Sequence, residues 1–218
     1  MKLESNGILI GLRPFGERDS VAHIFTADYG VLTGMLTGAA IAKKNRPLVG
    51  QSGAVVWSAR LDSQLGAFHW ESERNLAATV MMAPRRLAQM NAAFALIDAL
   101  LPEREPYAQL FAATRDFLDG LGMATDDGTA AYLTWETGLL RELGYALDFS
   151  HCSGCGGHAD LNYLSPRTGR AVCDTCAAPY VDRLYKLPLT LNVTLRFLHM
   201  ICDQQGVRLP LARRMLMV

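Results

Sequence analysis

The chain has 218 residues, half of them hydrophobic, and its 21 basic and 21 acidic side chains give a formal net charge of zero. This composition excludes global disorder, and the length allows one large domain or two to three small ones. A neutral chain creates no global field, so any nucleic-acid surface must be a local patch. No apolar run approaches the length of a membrane span, and the first residues lack the design of a signal peptide. Four of the five cysteines have metal-site spacing, which suggests a reducing, cytoplasmic setting.

Residues up to about 75 show the short, alternating apolar pattern of β-strands. Candidate strands are G-I-L-I-G-L-R, V-A-H-I-F-T-A, G-V-L-T-G-M-L-T, S-G-A-V-V-W-S-A-R-L and G-A-F-H-W-E-S-E-R. Tyr29 and Gly30 have the residue types of a hairpin turn. Five short strands with glycine-rich connections are typical of a small closed barrel of the OB type. The pattern alone also fits an SH3-like barrel or a small sandwich.

A basic run, A-I-A-K-K-N-R-P, lies between two of these strands and has no acidic residue in it. Lys43, Lys44 and Arg46 are candidate contacts to a phosphate backbone, with Arg13 and Arg60 as further cations that have acidic neighbours. The nearby aromatic residues are either stacking faces for bases or core residues: Trp57, Phe68 and Trp70. A solvated turn beside a barrel core is the alternative interpretation.

From about residue 76 the apolar period changes from two to that of a helix. Three stripes predict three helices: Leu87, Met90, Phe94, Ile97 and Leu101; Tyr107, Leu110, Phe111, Thr114, Phe117, Leu118 and Leu121; Tyr132, Trp135, Leu139, Leu140 and Leu143. Pro102, Gly122 and Gly144 are expected near their C-terminal ends. We expect these stripes to form a helical core.

The stretch before the first stripe carries Met81 and Met82 ahead of Arg85 and Arg86. An exposed apolar groove with arginines at its rim would suit an acidic peptide tail. Core methionines and surface arginines are the alternative.

Residues 152–176 contain two C-x2-C knuckles, Cys152 with Cys155 and Cys173 with Cys176, separated by 17 residues. This spacing predicts a tetrahedral four-cysteine zinc site. Four thiolates leave no open coordination position, so the expected zinc is structural. Two reactive dithiols or a pair of disulfides are the alternative interpretation of the four cysteines. The adjacent His151 and His158 are expected to lie outside the set of metal ligands.

After the knuckles, an apolar helical run is expected to begin near Thr190 or Asn192 and to end at Gly206. Cys202, the fifth cysteine of the chain, lies in this run and is expected to be a buried small hydrophobic residue. His199, in the same run, is expected to be packed. A short helix, P-L-A-R-R-M-L-M-V, follows.

In this order of parts the chain resembles the bacterial RecO family of recombination mediators. The resemblance lies in G-I-L-I-G-L-R-P-F-G-E-R-D-S, F-T-A-D-Y-G-V-L-T-G-M-L-T-G-A, L-R-E-L-G-Y-A-L-D-F and the paired knuckles. It implies an α+β fold: an OB-fold barrel (1–75), a helical domain (76–150), an inserted four-cysteine zinc module (151–180), and C-terminal helices (181–218) that pack back on the helical domain.

The resemblance also implies function. Members bind single- and double-stranded DNA, anneal complementary strands, act with RecR, and help load a RecA-type recombinase onto DNA coated by single-strand binding protein, whose acidic tail docks on the mediator. It implies no catalytic residues and a nucleoid-associated protein with no membrane contact. Members commonly carry more basic residues after T-G-A than this chain, so DNA binding without RecR is expected to be weak here.

Two rival functions come from other classes. One is an enzyme with the four-cysteine module as an accessory, although no Walker loop, G-x-S-x-G, H-E-x-x-H or paired-acid motif occurs. The other is a protein-interaction scaffold with no DNA affinity.

Overall fold

The N-terminal part of the chain is a closed barrel of five strands. The computed structural model describes residues 1–42, 46–61 and 64–217. The strands are β1 (Lys2–Phe15), β2 (Asp19–Thr26), β3 (Gly30–Leu36), β4 (Gln51–Ser58) and β5 (Gly66–Asn75). Their order around the barrel is β1-β2-β3-β5-β4, with β4 closing on β1 and only β3 and β5 running parallel. This arrangement confirms the predicted OB-type barrel over the SH3-like barrel and the sandwich.

The barrel interior is apolar because alternate residues of each strand point inward, most clearly along β4, where every second residue is buried. The core residues are Leu9, Ala22, Ile24, Leu32, Leu36, Ala39, Val55, Trp57 and Phe68. Trp57 is fully buried, and its indole Nε1 donates a 2.9 Å hydrogen bond to the carbonyl of Thr33. A Cβ at Gly66 would lie 2.1 Å from that indole ring, so only glycine fits beside it.

Helices follow the barrel as the apolar period predicts. They are α1 (Pro84–Leu100), α2 (Ala108–Met123) and α3 (Thr129–Glu142), and their buried faces carry most of the predicted stripes. Pro84 opens α1, where its missing N–H has no helical partner to lose. Within the described ranges, none of the helices is both long and apolar enough to cross a bilayer.

The chain divides into two compact units, and the boundary falls inside α3. The first contains residues 1–131 and 209–216, and the second contains residues 132–208. In the first unit a short helix, α6 (Leu211–Met215), returns to contact α1. The division into four domains, residues 1–75, 76–150, 151–180 and 181–218, stays a prediction.

The second unit contains a small three-stranded sheet around the cysteines. Its strands are two residues each, β6 (Tyr163–Leu164), β7 (Ala171–Val172) and β8 (Tyr185–Lys186), with β6 in the centre. One turn of helix, α4 (Asp174–Ala177), begins directly after Cys173. Three two-residue strands and a small apolar core are too little to stabilise this part of the chain by themselves. This indicates that the cysteines supply the missing stabilisation.

The last long helix of this unit is α5 (Leu191–Gln205). Gly206 ends it in the left-handed conformation, with φ at 67°, and its N–H donates to the carbonyls of Cys202 and Asp203. Both predicted ends are therefore confirmed, as is the burial of Cys202. The expectation for His199 is wrong: its side chain is exposed, because it lies on the polar face between the buried positions Leu198 and Ile201.

Candidate metal centre and nucleic-acid interface

The four cysteines of the two knuckles meet in one cluster. The sulfur atoms of Cys152, Cys155, Cys173 and Cys176 all lie within 4.8 Å of one another. Cys155 Sγ and Cys173 Sγ are 3.8 Å apart. Zinc–thiolate bonds of about 2.3 Å in a tetrahedron place the sulfurs roughly 3.8 Å apart, so the cluster fits a metal ion of that size. The disulfide alternative is wrong, because all five cysteines are free thiols.

Each knuckle directs backbone N–H groups toward sulfur. The amides of Gly154 and Cys173 both lie 3.3 Å from Cys152 Sγ, to which they donate. A Cβ at Gly154 would lie 2.9 Å from Cys176 Sγ, so a larger residue would crowd the cluster. The glycine-rich knuckle therefore lets the backbone approach the sulfurs.

The thiols of the cluster hold their protons unequally when no cation is bound. Backbone N–H donors, that of Cys173 foremost, lower the pKa of Cys152 to about 6. Hydrogen bonds with the neighbouring sulfurs of Cys173, Cys155 and Cys152, which favour the protonated thiol, raise the pKa of Cys176 to about 12. One negative charge is therefore stable in the cluster, whereas several thiolates together need a cation among them.

The two histidines near the first knuckle make other contacts. His158 Nδ1 donates a 2.7 Å hydrogen bond to the carbonyl of Ser150. His151 Nδ1 lies 2.8 Å from the Ser150 hydroxyl and 3.8 Å from Asp148. Within the described residues, only the four cysteines form a metal-ligating group. Both histidines are thus outside it, as expected from the sequence.

The basic loop of the barrel connects β3 to β4. Lys43 and Lys44 lie outside the described residues, and Arg46 is exposed. Pro47, the next residue, lines a cleft of about 490 Å³ between this loop and β5. Of the three candidate stacking aromatics, Trp57 and Phe68 belong to the barrel core, and Phe68 also lines this cleft. Trp70 is half-buried and lines the cleft.

Arg13 and Arg60 lie at other positions on the barrel. Arg13, near the end of β1, keeps 73% of its side chain exposed and lies 3.7 Å from Asp98. Arg60 is exposed on the connection between β4 and β5. Both guanidinium groups are accessible to solvent, although Asp98 offsets part of the charge of Arg13.

The outer face of β2 and β3 is covered by the end of α1, the segment after it and the start of α2. The ring of Phe25 meets that of Phe111 edge-on at 5.5 Å, and His23 hydrogen-bonds Asp98. The hydroxyl of Thr33 donates to Glu103. Local sequence patterns do not predict this packing, since His23 and Asp98 are 75 residues apart. Positions on β1 and β5 and the loops between strands stay exposed.

Arg85 and Arg86 donate to main-chain carbonyl groups inside the first unit. Arg85 Nη1 lies 3.0 Å from the carbonyl oxygen of Leu216. Arg86 Nη1 lies 2.9 Å and 2.7 Å from the carbonyl oxygens of Leu121 and Ala124. The methionines ahead of them, Met81 and Met82, are 63% and 95% exposed, so the alternative that they are core residues is wrong.

Because its guanidinium satisfies two carbonyl groups at the end of α2, Arg86 is expected to stabilise the first unit. Arg86→Ala should lower the free energy of unfolding by about 1–3 kcal/mol, the usual cost of removing charged hydrogen bonds. Urea denaturation measures this loss. Arg115→Ala, at an exposed position of α2, is the matched control and should change stability by less than about 0.5 kcal/mol. Equal effects of the two changes would show that the Arg86 contacts are not stabilising.

No sequence pattern indicates a role for three arginines beside the cysteine cluster. Arg167, Arg170 and Arg183 line a cleft of about 690 Å³ together with Tyr180. Their spacing follows no recognised motif, and aspartates are as numerous as arginines across residues 152–186, so the sequence carries no signal of the cleft.

Comparison with known proteins places the chain in a family. Residues 1–72 match the family described as Recombination protein O N terminal, and residues 82–213 match Recombination protein O C terminal. The chain is 41% identical to the DNA repair protein RecO of Rhodospirillum centenum over 192 residues, covering 86% of this chain and 76% of that protein. It is 39% identical to that of Gluconacetobacter diazotrophicus over 195 residues, which are 86% and 76% of the two chains. It is 41% identical to that of Jannaschia sp. over 192 residues, which are 87% and 77%. With its N-terminal barrel, helices and cysteine cluster on the matched segments, the chain belongs to the RecO family.

Proposed function

We propose that this chain is a recombination mediator in DNA repair. It binds single- and double-stranded DNA, anneals complementary strands and helps load a RecA-type recombinase onto DNA coated by single-strand binding protein. The observation that carries the proposal is the barrel: residues 1–72, which match the family's N-terminal domain, form a closed five-stranded OB-type barrel. Family membership supports the general role in DNA repair.

Barrels of this type bind oligonucleotides on the face of strands 2 and 3 and on the adjoining loops. Here the end of α1 and the residues after it cover that face at Phe25 and Thr33. A single strand therefore follows the loop between β3 and β4, where Lys43, Lys44 and Arg46 neutralise phosphates. The cleft beside this loop offers the half-buried ring of Trp70 to a base. Arg13 and Arg60 extend the charged track to the neighbouring loops.

The metal of the four-cysteine cluster is zinc, in a structural role. Four thiolates at tetrahedral spacing are typical of structural zinc sites and exclude the open position that a catalytic metal needs. The ion holds β6, β7 and the two knuckles together, and the cysteines supply its whole coordination sphere. The chain acts without bond-breaking chemistry of its own.

Partner proteins complete the proposed function. RecR binds the chain, the acidic tail of single-strand binding protein docks on it, and the RecA-type recombinase is affected through the DNA. The exposed Met81 and Met82 supply apolar surface for the tail. Arg85 and Arg86 follow them in the sequence and already donate hydrogen bonds to main-chain carbonyls, so they contribute positive charge but no free guanidinium group. The protein works in the cytoplasm on nucleoid DNA.

A scaffold without intrinsic DNA binding is the second candidate. The zero net charge and the covered face of β2 and β3 favour it. It predicts no affinity for DNA at low salt, whereas the mediator predicts affinity that weakens as salt rises, because counterions released on binding must return to the DNA.

Salt-dependent DNA binding separates these candidates. We expect the native chain to bind a labelled oligothymidylate in fluorescence anisotropy at low salt. Lys43→Ala/Lys44→Ala/Arg46→Ala should weaken binding and reduce the slope of log K against log salt by about 2, since each phosphate contact on a single strand contributes about 0.7.

The matched control removes three exposed arginines elsewhere, Arg115→Ala/Arg141→Ala/Arg208→Ala, and so has the same net charge as the loop variant. It should keep the native slope. An unchanged slope in the loop variant would move the DNA site away from this loop, and no binding by the native chain at low salt would favour the scaffold.

A further inference from the structure

A second cleft, lined by three arginines, lies in the unit that contains the cysteine cluster. It has a volume of about 690 Å³, within the range of small-ligand sites. Three segments form its walls: the first knuckle, the turn between β6 and β7, and the helical segment after the second knuckle. We call it the arginine cleft and define it by Arg167, Arg170, Arg183 and Tyr180.

The charge of the arginine cleft is not offset within its walls. Arg167, Arg170 and Arg183 are exposed, and its lining includes no aspartate or glutamate. No ion pair found among the described residues involves these arginines. Asp148, outside the cleft, interacts only slightly with Arg170, because its pKa is lowered mainly by hydrogen bonds from Ser150. Three guanidinium groups on separate stretches of chain suit a ligand with several spaced negative charges.

Besides the arginines and the hydroxyl side chains of Ser153, Ser165 and Thr168, the cleft is lined by apolar side chains and an aromatic ring. Tyr180 is 56% exposed, while Val172 is buried and Leu184 is half-buried. A nucleobase stacks on an exposed aromatic ring with a stabilisation of about 1–3 kcal/mol. Paired bases inside a duplex are already stacked and cannot enter such a cleft. An unpaired base with flanking phosphates therefore matches both the ring and the guanidinium groups.

We propose that the arginine cleft binds single-stranded nucleic acid, with a base against Tyr180 and neighbouring phosphates on Arg167, Arg170 and Arg183. The chain then has two strand-binding sites, one on the barrel loop and one beside the metal centre. A protein with two such sites holds two strands at once, which annealing requires. The inference rests on the proposed function in its choice of nucleic acid as the polyanion.

Photo-crosslinking to the full, zinc-loaded chain tests the arginine cleft directly. The probe is an oligothymidylate of about 15 nucleotides, within the site sizes of OB-type proteins, that carries 4-thiothymidine. Peptide mass spectrometry should locate crosslinks in the segment around Tyr180 as well as on the barrel. Crosslinks confined to the barrel would overturn the inference.

Affinity measurements with the cleft variant Arg167→Ala/Arg170→Ala/Arg183→Ala give an independent answer. In the Lys43→Ala/Lys44→Ala/Arg46→Ala background, these changes should further weaken the residual binding and reduce its salt slope by about a further 2. The control Arg115→Ala/Arg141→Ala/Arg208→Ala in the same background should not. Zinc content, expected to stay at the native level, shows that the module is intact.

The outcomes also separate this inference from the function on which it rests. Native DNA binding that the cleft variant retains in full would overturn the second site and leave the mediator function standing. Absence of DNA binding by the native chain would overturn both. An acidic peptide that binds the cleft, together with no crosslink of the oligonucleotide there, would assign the cleft to a protein partner and contradict the proposal.

Discussion

Cys173→Ser is expected to abolish stoichiometric zinc binding and to unfold the module around the cysteine cluster. Zinc contributes about 10–16 kcal/mol to the folding of small zinc modules. Here the apolar cluster beside the metal is small, made of Cys152, Val172, Cys173 and Ala177. Three two-residue strands add little. We therefore expect the metal to be the main source of the module's stability.

Elemental analysis and limited proteolysis measure this result. The variant should contain little zinc, and a protease should cut within residues 150–187, while a resistant fragment that contains the barrel survives. Cys202→Ala is the matched control, since Cys202 is buried in α5 outside the cluster, and it should keep one zinc. Full resistance of the metal-free variant to protease would contradict a structural metal.

The same site predicts a pH dependence of metal affinity. Because the pKa of Cys176 is raised to about 12 without metal, the ion must displace a proton from that thiol on binding. Protons therefore compete with zinc, and affinity should fall as pH falls from about 8 to 5.5. A competition titration with a chromophoric chelator measures this, and a pH-independent affinity would contradict ligation by this thiol.

Gly30→Ala is expected to prevent stable folding of the first unit. Gly30 has φ at +65°, and a Cβ there would lie 1.8 Å from the carbonyl oxygen of Glu105. That carbonyl belongs to the segment after α1, where the N–H of Arg104 donates a 3.0 Å hydrogen bond to Val31 and its guanidinium lies 4.5 Å from the Trp57 ring. The colliding atom is backbone and cannot rotate away. We expect a loss above about 4 kcal/mol, among the largest for single changes.

Gly16→Ala is the matched control for this change. Gly16 has φ at +64°, but nothing lies within 4 Å of a Cβ there. It should cost only the left-handed backbone penalty of about 1–2 kcal/mol. Urea denaturation of the two variants therefore isolates the collision with Glu105. Equal losses would show that the segment after α1 does not pack on β3 as described.

The parts predicted well from the sequence depend on local patterns. The knuckle spacing brings four sulfurs together because each C-x2-C turn fixes its own pair. The ends of α5 follow from Thr190 and Gly206, and the alternation along β4 fixes which residues face the barrel interior. In each case the deciding residues are close in the chain.

The parts that the sequence did not predict depend on contacts between distant residues. Trp57 and Phe68 are core residues because β5 pairs with both β4 and β3, which no local pattern specifies. The cover on β2 and β3 comes from contacts such as His23 with Asp98, across 75 residues. The arginine cleft likewise needs the turn between β6 and β7 to meet the segment after the second knuckle.

Annealing of complementary oligonucleotides coated with the cognate single-strand binding protein tests the mediator function most directly. The native, zinc-loaded chain should accelerate annealing, and the acceleration should weaken as salt rises, because phosphate contacts carry the binding. Lys43→Ala/Lys44→Ala/Arg46→Ala should lose most of it. Acceleration that survives in this variant would keep the function and move the DNA site. No acceleration by the native chain at any salt would contradict the mediator function and leave a zinc-containing scaffold.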